Sequence, residues 1–472
     1  MAAPFTGAMR QLKAAFRRAF AGAHHHGGTF EGATGGPRAP KSLNGPINPE
    51  VMRSLHILRG RSRAAAFDNP WCKNGVGGWV AELVGDGITA SPTVLDAASR
   101  KAILAYWAAW CQSCDADGRT NWIGIQESVV RALAVDGEAF LQVIRDENGL
   151  KLRLIPAEQV YERLTANLPD GGYIVQGIEF APDGTRRAYH ILPIVPTALY
   201  ATYMEPVRVP ASDIIHVVHP LAAGQVRGLP WLSAALIPAN EVDQLVDALT
   251  VNAKVASMLA GFLVDQSGNG EPIAGNQIGD VLESGLEPGT LTRLPPGYDV
   301  RFSTPQQATS GIETVKLSLQ AVAAALEMPV FIVTGDLSGA NYSSLRAGLM
   351  PFRRTASQRH NAVLVPQFLT PVWREVITFG VLSGALDLPG FETDPAYLAV
   401  RWLAPKPFQV DPLKSVQADT AEIAAGLKSR RQAVAERGRD VSDLDAEIAH
   451  DNAEAAALGL SFTDPATPTQ ES

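Results

Sequence analysis

Little in this sequence invites covalent or cofactor chemistry. Cysteine is scarce: Cys72, Cys111 and Cys114 are the only three in 472 residues, an odd set that fits neither a disulfide framework nor a four-cysteine zinc site. A chain of this length buries enough apolar surface to fold without cross-links, so a reducing, intracellular setting is the default expectation. No run of 18 or more apolar residues occurs, because Lys254 interrupts the most apolar helical stretch and Glu327 the next; no membrane span is expected. GxxxxGK[ST] is absent and no GxGxxG falls between a strand and a helix, so GNGEPIAGNQIG and Gly335-Asp336-Leu337-Ser338-Gly339 do not read as nucleotide loops. The nine histidines lack HExxH or comparable spacing, and histidines 24–26 read as incidental in a flexible arm. No metal, cofactor or catalytic set is therefore expected.

What charge there is lies unevenly. Residues 1–63 hold ten Lys and Arg against Glu31 and Glu50, so a formal total of −8 leaves −16 on the remainder. Tight phosphate neutralisation needs clustered Lys and Arg. The acidic body suits a surface that DNA passes without sticking, or it serves only solubility. The first 20 residues, MAAPFTGAMRQLKAAFRRAF, spread their basic residues without a separate apolar core, which reads as a basic arm, disordered or partner-bound, rather than a secretory signal. The Gly- and Pro-rich stretch that follows reads as a linker.

Beyond the arm the apolar period changes along the chain. From about 51 to 150 the pattern is mainly helical, through VMRSLHILRGRSRAAAFDNP, then SPTVLDAASRKAILAYWAAWCQSC with Ser91 or Thr93 as candidate caps, then IGIQESVVRALAVDG. Past Glu138 the period becomes two, in AFLQVIRD, LKLRLIPAEQVYE, YIVQGIEFAPDGTRRAYHILP and ASDIIHVVHP, with turns at Asn148-Gly149 and Asp183-Gly184, which predicts an antiparallel sheet built on hairpins. A long helical segment from Gly228 to Gly261 follows, about 45–50 Å if continuous and kinked at Pro238. A turn-rich excursion over 263–307 leads to a second helix, GIETVKLSLQAVAAALEM, that stops at Pro329. The polar loop LSGANYSSLRAG precedes a helical run in which Pro351, Pro366 and Pro371 predict a bend or several pieces. After the strand YLAVRWLAP, Asp411 and Pro412 open a C-terminal helical set ending near Gly426, Gly438 and Leu458. Its ten acidic residues against six basic ones read as a solvated face. The fold class is α+β.

Two local signals compete for a function. Trp110-Cys111-Gln112-Ser113-Cys114 matches the WCxxC of thioredoxin-like redox sites, but that pair should open a helix, whereas AILAYWAAW is itself helical and leaves the cysteines at a helix end. The order over 228–360, a rod, a compact excursion, a second helix, a polar loop with one aromatic, and a helix bearing Arg346, Arg353, Arg354 and Arg359, suggests one spoke of a cyclic oligomer.

RSLHILRGRSRAAAFDNPW, WVAELVGDGITASP, HPLAAGQVRGLPWLSAAL, LEMPVFIVTGDLSGANYSSLRAG and WLAPKPFQVDPLKSVQADTAEIAAGL, together spanning about 51–460, resemble the lambda-type portal proteins of tailed phages and prophages. The most specific pieces are Arg227-Gly228-Leu229-Pro230-Trp231, Asn341-Tyr342-Ser343-Ser344 with Arg346, and Val410-Asp411-Pro412. The resemblance implies a portal fold: a basic flexible arm at 1–50, a mixed wing at 51–227, a first stem helix at 228–262 and a clip at 263–307. A second stem helix and following segment at 308–336, a tunnel loop at 337–345, a bent helix returning to the wing at 346–410, a helical crown at 411–460 and a disordered tail at 461–472 complete it. It further implies a homo-oligomeric ring of about twelve at one capsid vertex of the virion, assembled in the host cytoplasm, through which double-stranded DNA is packaged and ejected without sequence readout. Implied partners are the terminase large subunit, the major capsid protein or scaffold, and head-completion or adaptor proteins. DNA-facing residues would be Ser338, Asn341, Tyr342, Ser343, Ser344 and Arg346, the last either touching phosphate or forming a salt bridge; Trp231, Lys254 and Lys316 would belong to the stem. The alternatives are a redox enzyme using Cys111 and Cys114, and a capsid adaptor without a channel.

Overall fold

The computed structural model describes residues 45–94, 96–147, 149–193, 205–258, 262–265, 276–278, 281–283, 298–301, 308–339, 341–405 and 412–460. The basic arm up to residue 44, Asn148, most of the excursion at 263–307, the Asp411 cap and the tail at 461–472 lie outside the described residues, as does the side chain of Tyr342. The chain divides into Met1–Glu50 and Val51–Ser472.

The helical layer begins with α1 (Ile47–Asp68), which stops where Asn69 precedes Pro70. Asn69 then caps α2 (Pro70–Leu83), its side chain accepting from the Trp71 and Cys72 amides at 3.1 and 3.0 Å, with Pro70 at a position that needs no amide hydrogen. The sequence reading passed over α2 because Gly75, Gly77 and Gly78 dilute its helical pattern. Two of them serve packing: a Cβ on Gly75 or Gly78 would meet Leu326 or Ile332 at 2.6–2.7 Å. Ser91 and Thr93 are not caps. Ser91 lies in strand β1 (Thr89–Pro92), and Asp96 caps α3 (Ala97–Ser113) by accepting from the Ser99 amide at 2.8 Å. Asn121 caps α4 (Trp122–Val135) in the same way.

The alternating segments form two sheets rather than one. In the first, β2 (Glu138–Asp146) lies between β3 (Gly149–Ile155) and β9 (Ile214–Val218), antiparallel to both. The second is a meander of β4 (Ala166–Asn167), β5 (Tyr173–Val175), β6 (Ile178–Phe180), β7 (Arg186–Ile191) and β8 (Val207–Pro210). Phe140, Ile155, Val160, Ile178, Tyr189 and Ile214 fill the space they share. The larger core joins the other face of β2 to α2, α3 and α4. At its centre Trp107 meets Trp110 and Trp373 at 4.9 Å and Trp122 at 5.6 Å.

The first rod is shorter than expected. Arg227 is fully buried, the chain continues extended through Pro230, and Trp231–Ala234 form a single 3-10 turn before α5 (Leu236–Met258) begins. Its 23 residues span about 35 Å at roughly 1.5 Å each. Pro238 is the third residue of α5, where a missing amide hydrogen breaks no intrahelical bond, so the anticipated kink has no cause. Short strands β10 (Phe262–Asp265), β11 (Asn276–Ile278), β12 (Val281–Glu283) and β13 (Tyr298–Arg301) follow, β10 pairing with β13 and β11 with β12. α6 (Ala308–Ala325) returns alongside α5, close enough that a Cβ on Gly311 would touch Leu249 at 2.7 Å.

α7 (Val330–Thr334) is followed by α8 (Tyr342–Arg359), the π-helical turns His360–Leu369 and α9 (Thr370–Leu382). Pro366 and Pro371 cannot donate to the ordinary ladder, and the widened turns carry the chain past them; the Thr370 amide bonds five residues back, to Val365. β14 (Val400–Leu403) pairs with β1. The last helices, α10 (Pro412–Ala424), α11 (Arg430–Ala435) and α12 (Val441–Ala457), are tied by ion pairs rather than merely solvated: Lys428 reaches Asp419 at 2.9 Å, Arg437 the same carboxylate at 2.8 Å, and Arg430 reaches Asp445 at 2.6 Å.

Candidate functional site

The polar loop is shorter than the sequence suggests, because Asn341 and Ser344 are recruited into a helix cap. The Asn341 side chain accepts from the Ser344 amide at 2.8 Å, and the Ser344 hydroxyl accepts from the Asn341 amide at 2.9 Å. This reciprocal box starts α8 at Tyr342, so Tyr342, Ser343, Ser344 and Arg346 ride on helical turns. The remaining loop runs from Gly335, left-handed at φ 71°, to Asn341. Asp336 stiffens it by accepting from the Ser338 amide at 2.9 Å. Ser338 and, more weakly, Lys316 hold the Asp336 carboxyl below its ordinary value.

Ser338, Asn341, Ser343, Ser344 and Arg346 are all exposed. Ser338 and Ser344 share with Lys316 the wall of an open groove of about 1340 Å³, floored by Leu249, Val315, Leu319 and Phe331. The structure thus brings the loop, α8 and the second rod together. Lys254 lies exposed toward the far end of α5 and does not line this groove. Trp231 does not belong to a rod at all. It packs edge-on against Trp79 at 5.4 Å, and the Arg359 guanidinium sits in the corner the two indoles form, 4.0 Å from Trp79 and 4.1 Å from Trp231.

That aromatic corner divides the arginine cluster. Arg359 is buried, with its Nη2 on the Glu327 carboxylate at 3.0 Å, and Arg353 faces Glu82 at 3.6 Å. Both are packing residues, whereas Arg346 and Arg354 are exposed. Glu327 itself is left-handed at φ 56°, a conformation costing a side chain about 1–2 kcal/mol.

A second buried ionic centre escaped sequence reasoning. Glu138, at the start of β2, is completely buried and accepts from Arg227 Nε at 2.8 Å, Arg59 Nη2 at 3.2 Å and the Gly228 amide at 3.0 Å, with His216 Nε2 at 3.2 Å. Arg227 spends its other hydrogens on the carbonyls of Ala157, Val160 and Gln176, binding the two sheets together. Burial opposes ionisation of Glu138, but Arg227 and His216 outweigh it and hold the carboxyl well below its usual range. Burial likewise pushes His216 down to about 4. Gly228 lies back-to-back with Gly137; a Cβ on Gly228 would sit 2.1 Å from the Gly137 carbonyl oxygen. The Arg227-Gly228 dipeptide was the only sequence signal for this arrangement, and its partners are 89 and 168 residues away.

The cysteine pair is not placed for redox chemistry. Cys111 lies in the last turn of α3 and Cys114 caps it, where the carbonyl end of a helix disfavours a thiolate. Burial raises both thiols, Cys114 to about 12. The redox reading is therefore withdrawn. Among the described residues no three His, Cys, Asp or Glu side chains could hold a metal, and no helix is long and apolar enough to cross a membrane.

Comparison with known proteins places this architecture. Residues 38–360 match the family described as phage portal protein, lambda family. A probable portal protein of Halomonas phage phiHAP-1 is 23% identical over 444 residues, covering 89% of this chain and 84% of that one. Among solved structures, a chain from the virion of a native gene transfer agent particle is 15% identical, covers 90% of this chain and 96% of its own, and superposes with a TM-score of 0.46. An HK97-family portal protein from Corynebacterium diphtheriae is 14% identical over 75% of this chain and 96% of its own, with a TM-score of 0.32. The family match spans the buried Arg227–Glu138 centre, both rods and the loop with its cap, and on that match the chain belongs to the lambda family of phage portal proteins, whose role is structural rather than enzymatic.

Proposed function

We propose that this subunit assembles as one spoke of a ring of about twelve at a single capsid vertex, with double-stranded DNA passing through the centre during packaging and ejection. The carrying observation is the unburied apolar surface of the paired rods. Their body-side ends are fully packed, at Val242 and Val322, whereas farther along Val251 is 50% exposed, Ile312 52% and Leu317 68%. Beside the open groove, this leaves an apolar flank that one protomer does not cover. In this reading α5 and α6 are the stem, 263–307 the clip that meets the terminase large subunit and later head-completion proteins, and the C-terminal helices the crown. The layers around the two sheets form the wing facing the major capsid protein or scaffold, with assembly in the host cytoplasm.

Ser338, Asn341, Tyr342, Ser343, Ser344 and Arg346 then face DNA. The exposed hydroxyls and one cation grip weakly and without sequence, as a moving duplex requires. Electron microscopy of the purified chain tests the assembly: annular particles with a central hole are expected, and monodisperse monomers would exclude it. Tyr342→Ala, with rings intact, should lower packaged DNA; rings that fail to form would make that segment architectural instead.

A further inference from the structure

Where the C-terminal helices meet the β1–β14 strand pair, they enclose a polar cavity of about 260 Å³ lined by four arginines, Arg100, Arg401, Arg431 and Arg439. They come from four places: α3, β14, α11 and the turn before α12. Two have carboxylate partners. Arg100 holds Asp440 at 2.6 Å, and Arg439 pairs with Glu447. Asp440, the only acid in the wall among the described residues, is already engaged by the Ser91 hydroxyl at 2.6 Å and the Ser442 amide at 2.8 Å. Arg401 and Arg431 are exposed and have no acidic partner among the described residues.

Folding does not explain that excess. Neither Arg401 nor Arg431 is buried, and the cavity's positive charge stands within a body whose balance is −16. Guanidinium forks match the oxygens of a phosphate group and keep their charge at every working pH. The volume is several times the ~30 Å³ share of one water molecule, enough for a phosphate group with its nearest waters. We propose that this cavity binds a phosphate group, with Arg401 and Arg431 donating to its oxygens and the paired Arg100 and Arg439 shaping the walls. Arg401, Arg431 and Arg439 lie beyond the residues matched to the portal family. The group belongs either to a free phosphate ion or to the backbone of double-stranded DNA.

The full-length chain decides the matter with one double variant, R401E/R431E, and one control, Arg430→Glu. Arg430 neighbours Arg431 on α11 but pairs with Asp445 and does not line the cavity. Thermal unfolding in inorganic phosphate is compared with chloride at matched ionic strength, and a labelled duplex is titrated over a salt series. Phosphate should raise the midpoint of the wild type and the control by several degrees more than that of the double variant. If DNA is the source, the double variant also binds duplex several-fold more weakly than the control, and its salt slope falls by about 2. If only the phosphate effect appears, the ligand is a free anion. Equal responses of wild type and double variant to phosphate, with duplex affinity unchanged or lowered equally by the control, would overturn the proposal.

Discussion

Replacing Arg227 with methionine tests whether the buried ionic centre holds the two sheets together. The substitution keeps most of the side-chain volume but removes the cation nearest Glu138, at 2.7 Å, together with the donors to three carbonyls. Arg59 and His216 remain, each at 3.2 Å. Removing one partner of a fully buried pair costs about 3–5 kcal/mol, and three orphaned carbonyls push the loss toward the upper end. The pH dependence has a definite sign. In the wild type both Glu138 and His216 have depressed values in the fold, so each contributes stability at neutral pH that is lost on acidification. For His216 the loss begins below about 6.5 and continues toward about 4. Without Arg227, Glu138 and His216 retain a proton more readily, so Arg227→Met loses less between pH 7.5 and 5.5. The gap should therefore narrow over that interval. Guanidinium unfolding followed by tryptophan fluorescence at the two pH values measures both quantities. A loss below about 1 kcal/mol at pH 7.5, or a gap that widens on acidification, would refute the reasoning.

Three further outcomes follow from local geometry. In α2, Gly77→Ala meets nothing within 4 Å and should stabilise by about 0.5–1 kcal/mol through helix propensity, whereas Gly75→Ala, whose Cβ would lie 2.6 Å from Leu326, should destabilise; thermal midpoints of the pair give opposite signs. At Glu327, glycine relieves the left-handed strain while losing the Arg359 ion pair, and glutamine loses the pair and keeps the strain. Glu327→Gly should thus be more stable than Glu327→Gln by about 1 kcal/mol in denaturant unfolding, and the reverse order, with the ion pair absent from both, would refute the strain. Ellman's reagent at pH 8 should find Cys72 and Cys114 unreactive in the native chain and all three thiols reactive after denaturation, because burial holds Cys72 near 11 and Cys114 near 12.

Elements with an uninterrupted period were legible in the sequence. The hairpin strands, the paired rods and the C-terminal helices follow from period-two or amphipathic runs ended by Gly or Pro. What was missed depends on contacts between distant segments. The helix at α2 hides behind glycines whose reason is Leu326 and Ile332, some 250 residues on. The first rod loses its opening turns because Arg227 is drawn to Glu138, and no local pattern announces a buried arginine. The polar loop contracts because Ser344 caps rather than dangles; Asn341 and Ser344 stand at capping-box spacing, and that spacing was the signal available.

The same distant contacts explain how a short polar loop can keep its position. Its preceding side is anchored through Glu327, just before α7, and its following side through Arg359, the last residue of α8; these two residues form an ion pair at 3.0 Å. The Arg359 guanidinium in turn packs on both Trp79 of α2 and Trp231 of the turn that leads into α5. The ion pair therefore closes the segment from 327 to 359 into a loop held on two indoles, and the Trp231 contact joins it to the base of the first rod. Within it, residues 327–329 and the described residues between Gly335 and Asn341 lie outside the helices. Bending there costs little, while moving the whole segment requires separating a buried cation from two aromatic faces. Bending in this part of the chain is accordingly easiest at the loop that carries the exposed Ser338.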